Sequence, residues 1–284
     1  MTDRWNASQS FSAGALWAFL AVGGILASAG ALLATGTADA ATLPSLNVSL
    51  AKSSVTVGGS LQAGAVNVVT TGTGLKEAAA TIVRLNPGVS SAELLAFANS
   101  KAGHDPNGAG KFGSLVLQVE AGSEVQTTLA PGQYVAVEEA EGKPAGNTTF
   151  TVAAVASPLT LPTPQATIRS IDFGFRGPAA LHRGELVGFE NEGFVVHMDL
   201  ALPVKSHRAA KRLVQALRSD NKKQARKLIA GPPANLQGPV STGVYQQETI
   251  TATPGWYVQA CFMDTQDGRE HTRLGMERII RILK

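Results

Sequence analysis

The chain has 284 residues, with 24 Lys or Arg against 21 Asp or Glu and a formal net charge of +3. This length suits one large domain or two small ones. The single cysteine excludes an intramolecular disulfide and zinc modules of the Cys₄ or Cys₂His₂ type. The small net charge gives no argument for nucleic-acid binding, so we expect none. Only 16% of the residues are charged, and 30 Gly with 14 Pro make a turn-rich composition typical of β proteins.

The first forty residues have the layout of an export signal. No charged residue occurs from Trp5 to Ala38, Arg4 precedes this stretch, and the small residues Ala38-Asp39-Ala40 follow it. A basic start, an apolar core and a small-residue cleavage site predict a secretory signal peptide over residues 1–40. About 20 apolar residues could equally remain as an N-terminal membrane anchor. In both cases we expect residues 41–284 to lie outside the cytoplasm.

Short β-strands separated by turn signals follow in the first half. A helix interrupts them after Ser90, where Ser90-Ser-Ala-Glu93 is a capping box in front of an apolar run. The Pro131-Gly132 turn precedes one of the last strands. The predicted strands are 46–50, 54–57, 63–70, 80–85, 125–129, 134–137 and 149–152.

The second half repeats this order of elements. Gly193 follows Gly74 by 119 residues, and Pro254-Gly255-Trp-Tyr257 follows Pro131-Gly132-Gln-Tyr134 by 123. Apolar residues at helical spacing predict a helix over 210–217, with another turn near 228–229. The predicted strands are 167–171, 184–189, 197–202, 247–252, 257–261 and 279–282.

The pattern predicts an all-β fold of two tandem β-sandwiches, each with a short helical insertion. We expect the first domain over residues 41–153 and the second over 167–284. Residues 154–166 are rich in Pro, Thr and Ala, which is typical of a short, semi-extended linker.

Positive charge is concentrated in the second half. Residues 41–158 contain six Lys or Arg and eight Asp or Glu, whereas residues 159–284 contain seventeen and eleven. Most of the excess lies in the predicted helical segment 206–229. This segment could dock an anionic partner or a membrane surface. Alternatively, it is a solvated helix face that covers one sandwich edge.

Four side chains of the second half are of the types that bind copper. His197, Cys261, His271 and Met276 supply two imidazoles, one thiol and one thioether, which is the ligand set of a blue-copper site. The alternative is that Cys261 is a buried core residue and the histidines are unrelated to it, since free cysteines are among the most buried residues. An unpaired thiol in an oxidising compartment must be either buried or metal-bound, so this argument leaves both interpretations open.

The order His, Cys, His, Met, with the last three in one loop, resembles the cupredoxin family. The resemblance is carried by Gly255-Trp-Tyr257-Val-Gln-Ala-Cys261-Phe, then Asp267-Gly268, His271 and Gly275-Met276. It covers the second half well and the first half only in outline. It implies a Greek-key sandwich in each half, and a role in electron transfer or copper handling.

The same resemblance implies the role of each site residue. His197 and His271 would be the imidazole ligands of one copper ion, Cys261 the thiolate and Met276 the axial thioether. Asn191 would brace the site from outside. One feature departs from the family: nine residues separate Cys261 from His271, where blue-copper loops usually have two to four. Met263 and Met198 are alternative thioether donors.

The first half lacks these ligands. In the register of the repeat, His197 corresponds to Ala78, Cys261 to Glu138 and Met276 to Asn147, so we expect no metal site there. Only three other histidines remain in the chain, none of them in a His-x-His pair, and common hydrolase and nucleotide-binding motifs are missing. We therefore expect no enzymatic activity.

Two functions remain open from the sequence. The first is an exported copper protein whose partner is a redox or envelope protein. The second is a metal-free extracellular β-sandwich used for binding or envelope architecture.

Overall fold

A computed structural model describes residues 42–52, 54–75, 78–140 and 143–284. The predicted signal peptide or membrane anchor over residues 1–40 lies outside the described residues. Within those ranges, no helix is both long enough and apolar enough to cross a membrane.

The described part of the first half contains eight strands and one α-helix. The predicted capping box is present at the start of the helix: the Ser90 side chain accepts the Glu93 N–H, and the Glu93 side chain accepts the Ser90 N–H. The elements are β1 Ser45–Ala51, β2 Ser54–Gly59, β3 Gly64–Thr73, β4 Ala78–Leu85, α1 Ser91–Ala98, β5 Gly113–Glu120, β6 Glu124–Leu129, β7 Gly132–Ala140 and β8 Lys143–Val152.

The second half contains nine strands and two α-helices. Strand β5 in the first half and strands β10, β11 and β14 here were not predicted, and the predicted strand 247–252 ends earlier, at Thr249. The elements are β9 Ala166–Ile171, β10 Gly174–Arg176, β11 Ala180–His182, β12 Leu186–Asn191, β13 His197–Val204, α2 His207–Arg218, α3 Lys222–Leu228, β14 Ala234–Val240, β15 Tyr245–Thr249, β16 Gly255–Ala260 and β17 Glu277–Leu283.

The two halves have the same strand pairings. One layer has the order β2-β1-β3-β6 in the first half and β10-β9-β12-β15 in the second, and in both the second and third strands of this order run parallel. The other layer has the order β5-β4-β7-β8 in the first half and β14-β13-β16-β17 in the second, with β11 added at its edge. The predicted fold class, all-β with two tandem sandwiches, is confirmed.

A buried tyrosine occupies the same place in each half. Tyr134 lies near the start of β7 and Tyr257 near the start of β16, and both are almost fully buried. Each hydroxyl donates to the backbone carbonyl four residues earlier, at 2.8 Å to Ala130 and 2.7 Å to Thr253. The repeated Pro-Gly-x-Tyr sequence therefore produces the same local structure twice.

The sandwiches are joined edge to edge, which the sequence did not indicate. β6 pairs with β15, so the first layers of both halves form one eight-stranded sheet. In the other layer, the Ser241 N–H donates to the Leu115 carbonyl at 2.9 Å. These bonds satisfy edge groups that would otherwise be exposed. The segment between the domains lies along this junction, because Ala65 N–H donates to Leu159 O at 2.8 Å and Gln247 Nε2 to Pro162 O at 3.1 Å.

The helices cover the outer face of the second layer. Helix α2 begins after Ser206, whose side chain accepts the Ala209 N–H. Its buried residues Leu213 and Leu217 lie one helical turn apart, so they face the same side. They belong to one apolar cluster that also contains Cys261 and Met276. The helical insertion thus forms part of the packing around the predicted site.

Candidate metal centre

Three of the four predicted ligands meet at one end of the second sandwich. His197 is the first residue of β13, Cys261 follows the end of β16, and His271 opens a short 3₁₀ helix, His271–Leu274. The Cys261 Sγ atom lies 3.8 Å from His197 Nδ1 and 3.3 Å from His271 Nδ1. All three side chains are fully buried. Within the described ranges, this is the group of donors that could hold a metal ion.

The long segment between Cys261 and His271 folds back on itself. The His271 N–H donates to the Met263 carbonyl at 2.8 Å, and Thr265 N–H donates to Arg269 O at 2.9 Å. Asp264 and Glu270 form an isolated antiparallel bridge between these two bonds. Residues 264–270 therefore form a small loop that is closed by the bond between His271 and Met263. Nine residues separate Cys261 from His271 in sequence, but only two of them lie outside this loop.

The backbone of Met276 forms hydrogen bonds with both His271 and Cys261. Its N–H donates to the His271 carbonyl at 3.0 Å, and its own carbonyl accepts the Cys261 N–H at 3.1 Å. Gly275, with φ of 100°, makes the turn that ends the 3₁₀ helix. The Met276 side chain is fully buried in the same apolar cluster as Cys261, Met198 and Met263. Its role as a fourth ligand stays a prediction.

Burial keeps the Cys261 thiol protonated. It raises the pKa of Cys261 to about 12, an effect that backbone N–H groups of Met198 and Met263 offset in part. The Met198 N–H lies 3.4 Å from Sγ. A thiol with this pKa is neutral at pH 7, and a metal ion must displace its proton to bind.

Both imidazoles are held in the neutral form that can bind a metal. Burial, followed by the proximity of His197, lowers the pKa of His271 to about 3. Burial also lowers the pKa of His197, and Asp172 offsets part of that effect. The two rings meet edge to face, with centroids 5.0 Å apart.

A turn that the sequence analysis missed touches both histidines. Asp172 and Phe173 connect β9 to β10. Asp172 Oδ1 lies 3.4 Å from His197 Nε2 and also accepts the Phe194 N–H at 2.9 Å. The Phe173 ring lies edge-on to His271, with centroids 5.1 Å apart. Phe173 has a φ of 62°, which is uncommon for a residue with a side chain. The signal in the sequence is the Asp-x-Gly turn at 172–174.

Asn191 organises the loop that precedes His197. Its Nδ2 donates to the Val195 and Val240 carbonyls, both at 2.9 Å, and its Oδ1 accepts the Gly193 N–H at 2.9 Å. A Cβ atom on Gly193 would lie 2.5 Å from His197 Nε2. Only glycine fits beside this imidazole without displacing it.

The three side chains fit a metal ion. Ligand distances of about 2.0–2.3 Å, at angles near 110–120°, place a sulfur and a nitrogen donor roughly 3.5–3.8 Å apart. The two sulfur–nitrogen distances, 3.3 and 3.8 Å, lie around this range. One thiolate and two imidazoles form the donor set that suits copper in an electron-transfer site.

The equivalent positions of the first half hold different chemistry. Ala78 has no donor atom, and Asn147 is exposed. Glu138 is fully buried, and neither of its carboxylate oxygens makes a hydrogen bond of normal geometry within the described residues. Burial raises the pKa of Glu138, and the backbone N–H of Gly146 offsets part of this rise.

Copper proteins are among the solved structures to which this chain is similar. No protein-family model and no curated protein sequence matches the chain. Auracyanin B is 19% identical, covering 44% of this chain and 93% of its own, with a TM-score of 0.26. Auracyanin A of Chloroflexus aurantiacus, a "blue" copper protein, is 15% identical, covering 41% and 96%, with a TM-score of 0.25. The copper-containing nitrite reductase of Thermus scotoductus is 12% identical, covering 84% and 68%, with a TM-score of 0.25.

The auracyanins cover less than half of this chain, whereas the nitrite reductase covers 84% of it. With identities below 20% and TM-scores of 0.25–0.26, these likenesses assign no function to the chain.

The sequence-based exclusion of enzymatic activity is wrong. Solved structures similar to this chain include enzymes, namely the nitrite reductase and multicopper oxidases such as that of Pediococcus acidilactici, which covers 85% of this chain at 10% identity with a TM-score of 0.22. The prediction rested on the absence of His-x-His pairs and catalytic motifs from the sequence, whereas the similar solved structures include enzymes.

Proposed function

We propose that the second domain binds one copper ion and carries single electrons outside the cytoplasm. The observation that supports this most strongly is the placement of Cys261 Sγ 3.3 and 3.8 Å from the Nδ1 atoms of two buried, neutral histidines. A copper ion bound there would supply one-electron redox chemistry. His197, Cys261 and His271 would hold it, and we propose Met276 as the weak fourth ligand.

The fold holds these three donor side chains in place and excludes solvent from them. Each ligand is positioned by a different element of the sandwich, and all three are removed from solvent. Asp172 Oδ1 can accept a hydrogen bond from His197 Nε2. This bond orients the imidazole of His197 with its Nδ1 atom toward the Cys261 sulfur. Ligands that are held in this way move little when the charge on the metal changes, which favours electron transfer.

A copper titration tests this function. Adding Cu(II) to the purified full chain is expected to produce a visible thiolate-to-copper absorption band that saturates at one equivalent. Cys261→Ser is expected to abolish the band, because serine offers no thiolate. His182→Gln is the matched control, since His182 is exposed and remote in sequence from the site. A colourless protein with one titratable thiol would overturn the proposal and favour a metal-free binding or envelope protein.

We further propose export of the chain and a modular organisation. The composition of residues 1–40, an uncharged apolar stretch between Arg4 and Ala38-Asp39-Ala40, supports a signal peptide or anchor. We propose residues 41–153 as a structural or docking domain, 154–166 as the linker and 167–284 as the copper domain. Mass spectrometry of the mature protein tests the first point: an N-terminus at Ala41 indicates cleavage, and an intact N-terminus in a membrane fraction indicates an anchor.

A further inference from the structure

Helices α2 and α3 carry an exposed group of cations. We call Arg208, Lys211, Arg212, Lys223 and Lys227 the basic face. All five are exposed, and within the part of the chain that the structure describes none of them forms an ion pair. The only acidic residue from His207 to Leu228 is Asp220. The basic face is thus a concentrated, uncompensated positive charge.

The positive charges of the basic face destabilise the two helices that carry them. Neither α2 nor α3 has an acidic residue in its first turn, and both have basic residues there. Positive charge near a helix N-terminus opposes the helix dipole. Arg208 with Arg212, and Lys223 with Lys227, are like-charged pairs four residues apart, which destabilise a helix. Helix stability therefore does not account for the basic face, and this points to a ligand outside the chain.

The α2–α3 turn links one end of the basic face to the candidate metal centre. The other end, at the start of α2, lies beside the start of β16, where the His207 and Trp256 rings are 4.8 Å apart. Arg218, at the end of α2, pairs with Glu277, the residue after Met276. Asp220, between the two helices, lies 3.9 Å from Arg273 of the 3₁₀ helix that begins with His271. A partner protein that covers the whole basic face would therefore reach the loop that supplies the C-terminal ligands.

The chemistry of the face favours a protein over a membrane. Helices that bind lipid surfaces present apolar side chains that enter the bilayer. Here Ala210, Leu213 and Leu217 are buried against the sandwich instead. Among the described residues, the exposed large apolar side chains are Leu159 and Phe194, and neither lies on these helices. A purely ionic face suits a partner with an acidic protein surface.

We propose that the basic face docks an acidic electron-carrier protein next to the metal loop. The identification of the partner as an electron carrier rests on the proposed copper function. The acidic character of the partner rests on the five unpaired cations alone.

A binding assay on the metal-free full chain tests the surface itself. Fluorescently labelled poly-L-glutamate serves as the acidic probe, and its anisotropy is measured at low salt and at high salt. The triple variant Arg208→Glu, Lys211→Glu and Arg212→Glu is expected to weaken binding more than about tenfold, and high salt is expected to abolish binding to the unchanged protein. Circular dichroism of each protein checks that it is folded.

A second triple variant controls for net charge. Lys52, Lys101 and Lys111 are exposed, belong to the first half and form no ion pair with another described residue. Their replacement by Glu changes the charge by the same amount and is expected to leave most of the binding in place. Equal weakening by both triple variants would overturn the proposal, since overall charge alone would then explain it. Binding to phosphatidylglycerol vesicles but not to poly-L-glutamate would also overturn it, in favour of a membrane surface.

An electron-transfer assay connects the surface to the metal loop. The copper(I) protein is oxidised by hexacyanoferrate(III), an anion that accepts one electron and becomes hexacyanoferrate(II), while the copper becomes copper(II). We expect the basic-face variant to lower this rate more than about tenfold, with little loss for the cationic oxidant tris(phenanthroline)cobalt(III), which is reduced to cobalt(II). If hexacyanoferrate(III) oxidised the basic-face variant and the unchanged protein at equal rates, docking beside the site would be contradicted.

The two proposals fail in different ways. If the chain binds poly-L-glutamate through the basic face but never develops the thiolate band, the copper function is wrong and the acidic-partner surface stands. If the band forms but the basic-face variant behaves like its control, the copper function stands and the docking inference is wrong.

Discussion

The two sandwiches have the same strand pairings, yet among the described residues the second alone brings metal ligands together. Near the end of β7 in the first half, Glu138 is buried, and its carboxylate oxygens have no hydrogen-bond partner of normal geometry among the described residues. After β16 in the second half, Cys261 faces two imidazoles within 3.8 Å. The same framework therefore accommodates either a buried carboxyl group or a set of metal donors at equivalent positions. The framework positions the site, and a few side chains decide its chemistry.

The pair Gly193 and Gly74 gives the sharpest test of this comparison. Gly193→Ala is expected to weaken copper binding more than about tenfold, because the new methyl group would collide with His197. Gly74 is its counterpart in the repeat, has nothing within 4 Å of the added Cβ, and has a φ of 72°. Gly74→Ala is expected to cost about 1–2 kcal/mol of unfolding free energy, with no change in copper affinity. If both substitutions lowered copper affinity equally, contact with His197 would not explain the effect of Gly193→Ala.

The next effect concerns Asp172. Asp172→Asn is expected to lower copper affinity about tenfold, because a carboxylate that orients a ligating imidazole strengthens its binding. Asp267→Asn is the control, since Asp267 is an exposed carboxylate of the same end of the domain, paired with Arg269. Competitive titration with a copper chelator measures both. An unchanged affinity for Asp172→Asn would show that the 3.4 Å contact does not position His197.

Glu138 predicts a pH-dependent difference confined to the first half. Because burial raises its folded-state pKa above the unfolded value, its neutral form stabilises the fold at low pH, and this stability is lost as pH rises. Glu138→Gln stays neutral, so its unfolding free energy should exceed that of the unchanged protein by about 1 kcal/mol at pH 8 and match it near pH 4. Urea unfolding at both values measures this. A difference independent of pH would show that charge is not the cause.

The smallest expected effect tests the likeness of the two halves. Tyr134→Phe and Tyr257→Phe each remove the hydrogen bond from the hydroxyl to a backbone carbonyl four residues earlier, and Tyr257→Phe also removes a 3.1 Å contact with the Thr253 hydroxyl. Each is expected to lower the unfolding free energy by about 0.5–1.5 kcal/mol, with copper binding unchanged in both. Thermal unfolding with and without copper measures this. A loss of copper affinity only in Tyr257→Phe would mean that this tyrosine also supports the site.

Much of the fold followed from alternating apolar residues and turn signals, since most strands have one face in a core and the Pro-Gly-x-Tyr turn recurs. The strands β5 and β14 were missed, and they lie where the two sandwiches meet. A strand buried by a neighbouring domain shows little alternation, as in Leu115-Val-Leu117. Pairing between β6 and β15 depends on contacts between distant segments, which no local pattern encodes.

The site was predictable in its residue types but not in its geometry. Counting nine residues from Cys261 to His271 indicated a poor match to blue-copper loops. The bond from His271 N–H to Met263 O removes seven of them from the direct path. Asp172 was missed because it meets His197 only through the folding of a remote turn.

Copper K-edge X-ray absorption of the copper-loaded full chain tests the central claim most directly. We expect one sulfur scatterer at a short distance and two imidazole nitrogens around a single copper, and we expect Cys261→Ser to lack the sulfur scatterer. A spectrum with only nitrogen and oxygen scatterers, unchanged in Cys261→Ser, would contradict it.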